Sequence, residues 1–261
     1  APSVGEVTIG KGLDETRRML LWVRRWGARK GHDLYRTADG SSFEKISSPS
    51  FSPMPMQVTD VFHVPGKGLV SLWFAGDYRN TADGHSWGTL TSADNGRTWV
   101  QRAVEKNLPK SEWPTEQCAV HLGAGRILAI SRSEGGTGHQ FQLTSTDGGV
   151  TWKRQNTNIS DVRESTPSLF FDSKTGQVFN YYYQRGARKL KRRIVSADFI
   201  FTRPMMWPEP ETLAIGAEER AYDAGNVNGT VHGALHLLAL YTGSTTDTAV
   251  FAVSVPASAK P

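Results

Sequence analysis

Three carboxylic acids, four arginines and one tyrosine carry the chemistry this chain could perform: Asp60, Asp83 and Glu116; Arg79, Arg132, Arg185 and Arg188; and Tyr222. Carboxyl groups give and take protons, and guanidinium groups bind anions through paired, charge-assisted hydrogen bonds. A phenol becomes a nucleophile only when a neighbouring base removes its proton. The most ordered spacing lies in Pro114 to Arg132, PTEQCAVHLGAGRILAISR, where Glu116 and Arg132 stand 16 residues apart. Apolar runs flank its Gly123-Ala124-Gly125 turn, so the segment reads as two antiparallel strands whose far ends meet. Glu116 would then sit beside Arg132. An ordinary ion pair between neighbouring strands would use the same two residues.

What must position these groups is a repeat. Thr91 to Trp99 (TSADNGRTW) and Thr144 to Trp152 (TSTDGGVTW) are near copies, with Asp94 and Asp147 53 residues apart. A weaker copy at Thr37 to Ser41 lies 55 residues earlier, and another at Ser196-Ala197-Asp198 lies 51 residues later. Each copy has turn chemistry: Asp accepts from following backbone N–H groups, Gly takes a positive φ, and Trp packs on the sheet beneath. Upstream of each turn the residues alternate as strands do, so one period holds three or four antiparallel strands, the content of one propeller blade. At that period the 261 residues form about five blades, near 5–50, 51–106, 107–159, 160–215 and 216–256, in one domain spanning 1–261. Helix is scarce; the best amphipathic candidates are short, at Lys106 to Glu112 and Glu211 to Glu219.

Bulk properties narrow the function classes. Cys118 is the single cysteine, which excludes an internal disulfide and a thiolate zinc cluster. His63, His121 and His139 lack metal-ligand spacing, so neither a metal nor another cofactor is expected. No apolar run approaches the ~20 residues of a membrane span, and the N-terminus lacks the features of a signal peptide. The formal charge of +5 favours an anionic partner. No RNA- or DNA-binding motif stands in the chain, so nucleic acid is not the expected one. The run Arg185 to Arg193 (RGARKLKRR) holds six basic residues in nine and reads as a solvated hairpin, or as a guide for an anionic polymer if it faces the channel. Nothing in the sequence sets the oligomeric state.

In a propeller, the first strand of each blade starts at one mouth of the channel and the second strand returns to it. That mouth should gather Asp60 with Asp77 and Arg79, Glu116 with Arg132, Glu164 with Arg185 and Arg188, and Tyr222 and Asp223 with Tyr241. An inert channel would need few such groups.

The S-x-D-x-G-x-T-W turn resembles the Asp box, or BNR repeat, of the sialidase-like propellers. The Thr-Glu-x-Cys start and Ile-Ser-Arg finish of Pro114 to Arg132 look particularly like phage endosialidases, and so like tailspike enzymes that cut polysialic acid. The resemblance implies an all-β, sialidase-like propeller that is secreted or virion-associated. It further implies a glycoside hydrolase acting on an acidic, sialic-acid-like sugar or polysaccharide. Glu116 would accept the phenolic proton of Tyr222, the nucleophile; Asp83 or Asp60 would protonate the leaving oxygen. Arg132, with Arg185, Arg188 or Arg79, would clamp a substrate carboxylate. Sialidases carry an Arg-Ile-Pro motif on the first inner strand, whereas Val58 to Val64 (VTDVFHV) has Asp60 and no Arg. A carbohydrate-binding or receptor-recognition propeller without catalysis is therefore the alternative, followed by an assembly propeller that works through its blade edges.

Overall fold

The structure, a computed structural model, describes residues 10–25, 30–79, 84–134, 138–162, 165–216, 225–243 and 248–257. Their strands run in consecutive antiparallel groups. The first is β1–β4 (Lys11–Leu13, Met19–Arg25, Gly31–Thr37, Glu44–Ser47) and the second β5–β8 (Gln57–Val64, Gly68–Ala75, His85–Ser92, Val100–Leu108). The third is β9–β12 (Pro114–Gly123, Arg126–Ser133, Phe141–Ser145, Lys153–Asn156) and the fourth β13–β16 (Ser168–Asp172, Gln177–Gln184, Lys189–Ser196, Glu211–Ile215). A last group holds β17–β19 (Gly225–His232, Leu235–Gly243, Thr248–Pro256). The first two groups are joined by a short parallel pairing of β1 with β5, Gly12 opposite Val61 and Leu13 opposite Phe62.

A radial order follows from where the apolar residues go. Side chains alternate across a strand, and β6 is apolar at nearly every position, so both of its faces must be covered. Leu69, Trp73 and Ala75 pack toward the first group with Leu20, Trp22 and Leu34. Leu72 and Phe74 point the other way, toward Ala129, Phe141 and Leu143 of the third. The same layering recurs between the third and fourth groups, around Leu128, Ile130, Val178 and Tyr182, and between the fourth and last, around Phe179, Tyr181, Leu238 and Leu240. Core layers between successive sheets, with first strands packed side by side in chain order, make this all-β fold a propeller.

The repeated turns close the third strand of their groups, after β3, β7 and β11. In the second, the Thr98 hydroxyl donates to Asp94 at 2.6 Å and its amide at 2.9 Å, which holds the Asp94 carboxyl down to about 2. Its tryptophan reaches back: Trp99 lies 5.0 Å from Trp22 of the first group. Trp152 of the next turn likewise meets Trp87 of the second group, at 6.1 Å. The tryptophans thus join neighbouring sheets as well as covering their own. The copy at Ser196 is different. It caps the helix α1 (Ala197–Thr202), and Asp198 pairs with Arg126 at 2.6 Å, because no Gly follows to turn the chain. Neither proposed helix forms as expected: Lys106 to Leu108 ends β8 with a short 3-10 turn following at Lys110–Glu112, and Glu211 to Ile215 is β16.

His32 on β3 is 1% exposed, and neither ring nitrogen has a hydrogen-bond partner among the described residues. Burial, reinforced by Arg24 and Arg25, lowers its pKa from 6.5 to about 4. The unfolded chain therefore takes up a proton below pH ~6.5 that the folded chain refuses until about pH 4. Stability should fall by about 3 kcal/mol as pH drops through that window and level off below it. Urea titrations of the wild type and His32→Phe across pH 4–7 would isolate this contribution; parallel curves would refute it.

Candidate functional site

All the groups send residues from their first strands, or from the approach to them, into one cavity of about 410 Å³, counting its space open to solvent. Lys11 comes from β1; Gln57, Thr59 and Asp60 from β5; and Glu116, Gln117 and Cys118 from β9. Thr166, Pro167 and Ser168 come from the entry to β13, and Asn226 and Asn228 from β17.

Three of these strands break register at the cavity: β5 between Thr59 and Val61, β9 opposite Ile130 and Arg132, and β17 between Gly225 and Asn228. Asp60, Glu116 and Asn226 sit at the breaks with φ of 22°, 48° and 49°. Non-glycine residues avoid this region at a cost of about 1–3 kcal/mol each, and bulges re-aim side chains. Three such positions around one cavity mark it as the candidate site.

Glu116 and Arg132 do meet: Arg132 Nη1 donates to Glu116 Oε1 at 3.2 Å. Sequence reading missed the second partner of that arginine. Glu134 forms an ion pair with Arg132 Nε at 2.8 Å and accepts from its Nη2 at 3.3 Å, is itself buried, and takes a 2.8 Å hydrogen bond from Thr115. The i, i+2 spacing of Arg132 and Glu134 at the end of β10, which puts both on one face of a strand, was the available signal. Glu116 also accepts from the Tyr78 hydroxyl at 3.5 Å and meets the Thr166 hydroxyl through its other oxygen. Burial, then the charges of Glu116 and Glu134, pushes the Tyr78 pKa up, so its phenol serves as a donor and not as a phenolate.

Asp60 lines the same cavity and is half-buried. Its carboxylate accepts from the Ala119 amide at 2.9 Å and is hydrogen-bonded by the Cys118 thiol. Burial raises its pKa, against the opposing pull of Lys11 and those hydrogen bonds. Asp60 is thus the lining carboxyl disposed to keep a proton.

The other expected residues are placed differently. Arg79 is exposed in the turn after β6, where its amide caps Asp77 at 2.9 Å. Arg185 and Arg188 flank the β14–β15 turn, and Arg188 Nη1 reaches the Gly216 carbonyl at 3.5 Å. None of the three is among the described cavity-lining residues. Most of the basic run is strand β15 and not a solvated hairpin. Arg192 and Arg193 are buried, Arg192 pairs with Glu211, and Lys191 and Arg193 share Asp161 at 2.7 and 3.0 Å. Asp83, Glu164, Tyr222 and Asp223 lie outside the described residues.

Fold and site together define a β-propeller with a polar axial cavity that carries two carboxyl groups on strained bulges. Residues 36–231 match the BNR repeat-like domain. The chain belongs to that family. No curated protein sequence matches it. A protein of unknown function from Dyadobacter fermentans is similar in structure, with 15% identity and a TM-score of 0.69 over 94% of this chain and 74% of the other. The α-L-arabinanase of Penicillium chrysogenum, complexed with arabinobiose, has 12% identity and a TM-score of 0.61, covering 90% and 76%. NanB sialidase from Streptococcus pneumoniae has 14% identity and a TM-score of 0.59, covering 83% and 33%.

Proposed function

We propose that this chain is a glycoside hydrolase that holds a sugar at the axial cavity and cuts its glycosidic bond with Asp60 and Glu116. The observation that carries the reading is the convergence of the first strands on two carboxyl groups, each held on a strained bulge. Their surroundings separate their roles. Asp60, whose pKa burial raises, gives its proton to the leaving oxygen, and Asp83 is the other carboxyl suited to that step. Glu116, paired with Arg132, takes the proton of the attacking group, which is Tyr222 or a water. The similar propellers whose names give arabinanase and sialidase activity support a glycan substrate.

Arg132 is committed to two carboxylates and so orients Glu116 in preference to clamping a substrate anion. Amide and hydroxyl groups fill much of the lining, and Lys11 is the cation among its described residues. A neutral sugar fits such a lining; an acidic one would have to pair with Lys11. The test is turnover of a panel of aryl glycosides, arabino- and xylo-oligosaccharides, sialosides and polysialic acid, the last prompted by the endosialidase-like Pro114 to Arg132. Cleavage with retained anomeric configuration calls for an enzyme nucleophile, Tyr222 in this reading, and inversion calls for direct attack by water. Tight binding without product would favour a receptor-recognition propeller, the reading that Asp60 in place of an arginine on β5 keeps open.

A further inference from the structure

The Thr166 hydroxyl lies between two groups that both present oxygen: Glu116 Oε2 on one side and Asn226 Oδ1, at 2.7 Å, on the other. A hydroxyl has one proton to give. If Glu116 is ionised, Thr166 must donate to it, and the Asn226 amide must turn so that its NH₂ donates to Thr166. If Glu116 is protonated, it donates to Thr166, which then donates to the Asn226 oxygen as placed here. A primary amide supports both states by turning over its oxygen and nitrogen.

We infer that Thr166 and Asn226 form a reversible hydrogen-bond arm that stabilises Glu116 in either protonation state and positions it through turnover. This rests on the reading of Glu116 as the proton acceptor. A residue that takes a proton in one half-reaction and must release it afterwards needs such a partner; the guanidinium of Arg132 can donate hydrogen bonds but cannot accept one. The backbone is consistent with the arm. Asn226 holds φ 49° at its bulge, a conformation Asn tolerates better than most residues. Among the described residues, the other charged or titratable groups facing this region are Arg132 with Glu134 behind it, Tyr78, and, in the cavity, Asp60, Lys11 and Cys118.

The experiment uses the panel substrate that the wild-type chain turns over fastest. Thr166→Val should lower kcat by about tenfold or more, with KM changed by less than about threefold, and Thr166→Ser should recover most of the loss. Asn226→Asp, an acceptor that also adds a like charge, should move the acid limb of the kcat/KM profile up by about one pH unit. A merely structural role would lower the unfolding midpoint of these variants without moving that limb. If Glu116→Gln is inactive while Thr166→Val and Asn226→Asp keep the wild-type profile, the arm is refuted and the base reading stands. If Glu116→Gln is fully active, or the wild type turns over nothing, the base reading fails and takes the arm with it.

Discussion

Replacing Glu116 by Gln should reduce kcat/KM by about 10³-fold, some 4 kcal/mol of transition-state stabilisation, while leaving the fold intact. The substitution keeps the side chain's length and its oxygen toward Arg132, and removes only the ability to accept a proton. An amide also weakens the pairing at 3.2 Å, but Glu134 continues to hold the guanidinium. Binding of an oligosaccharide by calorimetry should therefore survive when turnover does not. A Glu116→Gln variant with undiminished turnover would leave the proposed mechanism without its base.

Asp60→Asn should act selectively. An acid that protonates the leaving oxygen matters most when the leaving group is a poor one. Turnover of a natural oligosaccharide should fall by about 10²–10⁴-fold, whereas a nitrophenyl glycoside, which leaves without help, should lose about tenfold or less. The alkaline limb of the wild-type profile should weaken in the variant, since that limb reports loss of the acid's proton and burial raises the pKa of Asp60. Equal losses on both substrates would instead mean that Asp60 serves binding or folding and gives up no proton. Asp83 would then be the carboxyl to test next.

Much of the fold was legible because its cause is local and repeated. The Ser-x-Asp-x-Gly-x-Thr-Trp turn declares itself in a few residues, and its spacing marks the end of a third strand each time. Glu116 and Arg132 were legible because a hairpin brings its two strand ends together, with Arg132 opposite Thr115 and so beside Glu116. Besides Glu134, three things escaped. Thr166 lies 50 residues from Glu116 along the chain and Asn226 a further 60 beyond Thr166, a relation set by the radial packing and invisible in local pattern. The strain at Asp60 and Glu116 comes from bulges, which leave no mark in an alternation of apolar and polar residues. Charge misled in the run Arg185 to Arg193. Composition reads it as surface, but Asp161, Glu211 and the carbonyls of Pro208 and Pro256 take up its arginines inside the fold.

The parallel pairing of β1 with β5 makes the junction of the first two groups unlike the other junctions among the described residues. A side chain on Gly12 would collide with the Val61 carbonyl, so the backbones there approach as closely as hydrogen bonding requires, and the first two sheets form a single eight-stranded plate. Elsewhere, neighbouring sheets touch through layers of side chains, which can slide where a backbone ladder cannot. Lys11 and Asp60 both stand on this joined plate, whereas Glu116, Thr166 and Asn226 come from the separate third to last groups.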